Sequence, residues 1–206
     1  VPDPNPQVNG PDSSLAPRLV AGLRIPVAVG REGRMRRADF VQGAFNESDE
    51  WAQVSAVADS LTTDLRSNRL AAAIAAANQP GNSSALVQAV FLQEAAALGF
   101  RDESRGLFAS YQSALRPDYY LPIGRTGIIL EVERGKTTIN NMDLLDFWKC
   151  HICEHADYLF LMVPAELRQN ETMAPRREFA TVARRLESFF RPGNETNVRG
   201  LVLLGY

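Results

Sequence analysis

The sequence predicts an α/β fold, and three observations carry that prediction. After a break at Asn78-Gln79-Pro80-Gly81-Asn82, stretches with helical spacing alternate with short apolar runs in the order α-β-β-β-α-β-α-β. Residues 158–163 are apolar at every position and stop at Pro164, the pattern of a strand buried on both faces within a parallel sheet. With 45% apolar and 22% charged residues, the chain has enough apolar surface to bury a core.

The elements follow in order. Residues 1–17 begin with a stretch rich in Pro, Asn and Asp and read as a flexible lead-in without the layout of a signal peptide. Residues 18–45 are mixed and carry Arg31, Arg34, Arg36 and Arg37, a cluster that reads either as a solvated loop or as an arm contacting phosphates. From Glu47 the spacing of Trp51, Val54, Ala58, Leu61 and Leu65 predicts a helix, and an Ala-rich second helix follows from Arg69. Residues 18–81 are thus expected to form a helical N-terminal extension, with the main domain spanning 82–206. In that domain a helix is expected over 85–98, capped by Ser83 or Ser84 and ended by Gly99. Strands are expected over 106–115, 118–123 and 128–133, a helix over 141–156, a strand over 158–163, a helix over 175–190 and a last strand over 199–204.

The strand at 128–133 is where chemistry is expected. Its two-residue period sets Ile128, Leu130 and Val132 on one face, and Ile129, Glu131 and Glu133 on the other. Two carboxylates roughly 7 Å apart on a strand this apolar repel one another unless a cation sits beside them, and a hard divalent ion is the simplest such cation. Asp118, thirteen residues before Glu131, follows Pro117 at the start of the preceding strand, and a tight turn would bring it to the same end of the sheet. Glu94 falls on the apolar stripe of the helix at 85–98 with Val87, Phe91 and Leu98.

Glu94 on a helix, then Pro117-Asp118, then Glu131-Val132-Glu133, then a helix and a strand, resembles the PD-(D/E)xK nuclease superfamily over about residues 83–164. The resemblance implies a restriction endonuclease-like αβββαβ core, a mixed central sheet flanked by helices. It implies Asp118 and Glu131 as acids binding Mg²⁺ or Mn²⁺, and Glu94 as the acid of the first helix. The implied activity is hydrolysis of DNA phosphodiester bonds by a restriction- or repair-type endonuclease, with DNA as partner and a homodimer as a candidate assembly. The family pattern has Lys where this chain has Glu133. In some members the lysine lies on the following helix, where this chain has Lys149; Lys136 lies just past the strand. The same substitution raises the alternative of an inactive domain of this fold that binds nucleic acid or a protein.

The two lysines stand out because 20 of the 22 basic residues are Arg. Lys supplies a compact charge that Arg does not. On the helix at 141–156, Leu145, Trp148, Ile152 and Ala156 are expected to face inward, with Lys149 and Cys153 beside them. Cys150, His151, Cys153 and His155 are the only Cys and His residues, but one helix cannot wrap four ligands around a tetrahedral zinc ion, so the cysteines read as packing residues. The formal net charge of −2 argues against a globally basic coat protein, and no apolar run approaches the roughly 20 residues of a membrane span. Too few cysteines for a secreted scaffold, and no secretory signal, lead to a cytoplasmic expectation.

Overall fold

The computed structural model describes residues 35–206 apart from 104, 105, 112–114, 136, 169 and 171. Its centre is a mixed six-stranded sheet in the order β1-β6-β5-β4-β3-β2. The strands are β1 (Arg36–Val41), β2 (Arg101–Asp102), β3 (Tyr119–Ile123), β4 (Thr126–Val132), β5 (Tyr158–Val163) and β6 (Gly200–Gly205). β4, β5 and β6 are parallel, while β1, β3 and β2 run antiparallel to their neighbours. Every residue of the three parallel strands is buried, which explains why 158–163 reads as an unbroken apolar run.

Helices cover both faces. α1 (Asp49–Leu65), α2 (Asn68–Ala77) and α3 (Ser84–Ala97) bury Leu61, Leu70 and Phe91 against Ile128, Leu130 and Phe160. α4 (Met142–Ile152) and α5 (Glu178–Glu187) bury Phe147, Cys150 and Val182 against Ile129, Leu159 and Leu161. The alternation read on β4 therefore separates two distinct cores. Ser48 and Ser67 cap α1 and α2 by accepting the N–H of Trp51 and Leu70, so the break between these helices follows from local chemistry.

Several expectations are corrected. The mixed segment 18–45 contains a strand: β1 pairs with β6 along six residues and buries Ala38 and Phe40. The segment read as a helical N-terminal extension adds an edge strand to the sheet, and α1 and α2 share one apolar cluster with α3 and β4. Arg134, just past β4, ties the loop after α2 to the sheet through Asn78 Oδ1 at 2.9 Å and the carbonyls of Gln79 and Asn82. In place of a strand over 106–115 there is a 3-10 turn at Leu107–Ser110. The strand pairing with β3 comes earlier and is only two residues long. α5 starts at Glu178 rather than 175.

The inward face of α4 is also corrected. Leu145, Trp148 and Ile152 are exposed, at 50%, 54% and 47%, while Asp143, Asp146, Phe147 and Cys150 are buried. The apolar stripe pointed to the wrong side because two carboxylates occupy the inner one. No helix among the described residues is long and apolar enough to cross a membrane. Cys150 and Cys153 are buried free thiols, in keeping with packing roles.

Candidate active site

The site lies at the end of the β3–β4 hairpin. The register sets Tyr119 opposite Leu130, which leaves Asp118 next to Glu131. Asp118 donates its backbone N–H to Glu131 Oε2 at 3.3 Å, and its own Oδ2 accepts from the Val132 N–H at 2.9 Å and Gln88 Nε2 at 2.8 Å. Glu131 is 2% exposed. Its Oε1 accepts from Lys149 Nζ, 3.0 Å away on α4. The same ammonium lies 2.9 Å from Asp146 Oδ1, one helical turn earlier. Glu133 follows at the end of β4, partly buried, with its N–H on the Met162 carbonyl and its carbonyl held by Tyr206 O–H at 2.7 Å.

Two carboxyls thus meet one ammonium, with Asp118 and Glu133 close enough to feel its charge, and burial dominates the electrostatics of all four. Burial, reinforced by Asp146, pushes Glu131 well above the ordinary carboxylate range. Burial and the charges of Asp146 and Asp118 push Glu133 up to about 8. Burial pushes Asp146 up to about 6, against the pull of Lys149. Asp118 is also raised by burial, although the Val132 N–H and Lys149 oppose this. Burial alone would lower Lys149; Glu131 and Asp146 outweigh it and hold the ammonium above its usual value, so Lys149 keeps its proton.

Asp118, Glu131, Glu133 and Lys149 are therefore brought together, but the cation at Glu131 is the lysine, shared with Asp146 rather than with Glu133. Glu94 is placed elsewhere: it is buried on α3 and paired with Arg69 of α2, and the α3 side chain that reaches Asp118 is Gln88. Lys136 and Arg34 lie outside the described residues. Arg37 is committed to Asp39 at 2.7 Å and Asp59 at 2.6 Å, which fixes β1 to α1 and leaves its fork no room for a phosphate. Arg36 borders a cavity of about 290 Å³ between α2 and the C-terminal Tyr206.

Sequence reasoning missed Asp146 and Gln88. The signal for Asp146 was present in its spacing from Lys149 and from the buried Asp143 and Cys150, but the more apolar stripe at Leu145, Trp148 and Ile152 outweighed it. Gln88 carried no signal, since its partner is thirty residues away.

The donor set suits a hard cation in a limited way. Among the described residues, no group of three or more His, Cys, Asp or Glu side chains is disposed to hold a metal ion. Mg²⁺, however, is often bound by only one or two carboxylates together with waters and substrate phosphates. Asp118 and Glu131 are adjacent oxygen donors of that kind, and Asp146 leaves its buried Oδ2 with no hydrogen-bond partner, a sign that positive charge is short here. Compared with known proteins, the chain matches no family model, no curated protein and no solved structure.

Proposed function

We propose that this protein is a divalent-cation-dependent DNA endonuclease of the PD-(D/E)xK type. The observation that carries the reading is the meeting of Asp118, Glu131 and Lys149 at the end of one hairpin, from β3, β4 and the helix that follows. The order α3-β2-β3-β4-α4-β5 supports it, since it has the αβββαβ sequence of elements that the resemblance implies.

In this reading Asp118 and Glu131 would hold Mg²⁺ or Mn²⁺, which supplies Lewis acidity and a more acidic bound water. The chain's own groups do the rest. Gln88 and the Val132 N–H fix the Asp118 carboxylate, so its orientation is set before substrate arrives. Lys149 stays protonated and presents a compact charge beside Glu131, where a phosphate gaining negative charge is stabilised. Glu133 stands where the family pattern has lysine, and Lys149 supplies that charge from α4.

The test is cleavage of supercoiled plasmid with Mg²⁺ or Mn²⁺. Nicking by the parent and its loss in Asp118→Asn, Glu131→Gln and Lys149→Met are expected; an inert parent, or variants that cut equally well, overturns the reading. A second reading, an inactive domain of this fold that binds nucleic acid or protein, is favoured by the way the Lys149 ammonium already occupies Glu131 and Asp146. It predicts no Mn²⁺ binding that depends on Asp118.

A further inference from the structure

We propose that Asp146 is the positioning residue for Lys149: its buried carboxylate holds the ammonium against Glu131. The role given to Lys149 in cleavage rests on the nuclease reading above; the hold itself does not.

A lysine reaches its partner through a flexible four-carbon stem, and fixing such a side chain costs up to about 2 kcal/mol of rotamer entropy. The Lys149 side chain is 27% exposed, so water is an available alternative to Glu131. Asp146 removes that freedom. It lies three residues earlier on the same helix face and brings Oδ1 to 2.9 Å from Nζ, while Glu131 meets Nζ from the sheet at 3.0 Å. The ammonium is gripped from its own helix and from the sheet at once. An ammonium has three N–H bonds, so two carboxylate contacts leave one for a substrate oxygen or a water.

Asp146 has no other task among the described residues. It is fully buried in the layer of Phe147 and Cys150; its Oδ1 has the Lys149 ammonium alone, and its Oδ2 has no hydrogen-bond partner. The carboxyls facing it, Asp118, Glu131, Glu133 and Asp143, repel it. The nearby cation Arg185 is committed to Asp143 at 3.2 Å, to the Thr138 carbonyl at 3.0 Å and to Asn141 Oδ1 at 2.5 Å. A buried carboxylate kept for one ion pair is a poor source of stability, because well-packed apolar replacements of such pairs are often neutral or stabilising. Its consequence is the placement of Lys149.

The test uses the full chain. With only two lysines, selective ¹⁵N labelling gives two side-chain ammonium resonances, assigned by Lys149→Arg and Lys136→Arg. An ammonium held by two carboxylates exchanges its protons slowly. In Asp146→Asn and Asp146→Leu the Lys149 resonance is expected to broaden at least tenfold, and in Asp146→Glu to recover in part. Plasmid cleavage by Asp146→Asn should fall tenfold to a hundredfold in kcat, with KM for DNA within twofold. Asp146→Leu should unfold within a few degrees of the parent. An unchanged Lys149 resonance in a folded Asp146→Asn, or unchanged kcat in an active parent background, overturns the proposal. A cooperative loss of stability in Asp146→Leu, with the Lys149 resonance retained in Asp146→Asn, marks a purely structural residue and also overturns it. If the parent does not cut DNA but the resonance depends on Asp146, the nuclease reading fails and the hold stands.

Discussion

Lys149 of α4 and Glu131 of β4, eighteen residues apart, meet at 3.0 Å in a layer where Glu131 is 2% exposed. The contact ties the crossover helix to the strand that precedes it and opposes the burial that raises the Glu131 carboxyl. Its consequences are measurable.

Lys149→Met strands Glu131 and Asp146 without their cation. Removing one partner of a buried pair costs about 3–5 kcal/mol, so the urea midpoint should fall strongly. The double variant Lys149→Met with Asp146→Leu should recover much of that loss, which a chemical denaturation series at neutral pH reads directly.

Stability should decline as pH rises through the Glu133 transition. This carboxyl moves from the ordinary 4.5 to about 8 on folding, so between those values the folded state binds more protons than the unfolded one. The slope of unfolding free energy against pH is then negative, at most about 1.4 kcal/mol per pH unit for one group, and Glu133's contribution is present below pH 4.5 and lost by pH 8. Asp146, raised to about 6, adds to the decline at the acidic end. Urea unfolding at pH 5, 6.5 and 8 should show the trend, and Glu133→Gln should flatten it.

The two sides of α4 should respond differently to truncation. Trp148→Gln changes an exposed side chain and should shift stability by no more than about 0.5 kcal/mol. Phe147→Ala, one residue away, removes a ring stacked on Phe189 at 4.4 Å and should cost about 3–5 kcal/mol. Equal effects at the two positions would contradict the observed orientation.

Divalent cation should stabilise the protein if the nuclease reading holds. Mn²⁺ at about a hundred times its dissociation constant adds about 2.7 kcal/mol to a protein that binds it only when folded. The thermal shift should be larger at pH 8 than at pH 6, because the raised carboxyls must lose their protons first. Asp118→Asn should abolish it.

Much of the fold was legible because it depends on neighbours in sequence. The two-residue alternation of β4 set Glu131 on one face and Leu130 on the other, and the spacing of Trp51, Val54, Ala58, Leu61 and Leu65 announced α1. The unbroken apolar run of β5 announced a central strand. The edge strand β1 was hidden because Arg36, Arg37 and Asp39 dilute its pattern; the partners that make it a strand lie far along the chain in β6.

The candidate site divides in the same way. The sequence by itself determined that Asp118 and Glu131 would stand together, because a short hairpin admits few registers. It also showed that two carboxylates on so apolar a strand call for a cation beside them. Only the tertiary structure decided which face of α4 turned inward, that Lys149 would be shared by Glu131 and Asp146, and that Gln88 rather than Glu94 would reach Asp118. Helical spacing offered two stripes on α4. The inner one carries Phe147 and Cys150, which complete the apolar layer of Ile129, Leu159 and Leu161, and that fit exists only once β4, β5 and α4 are packed together.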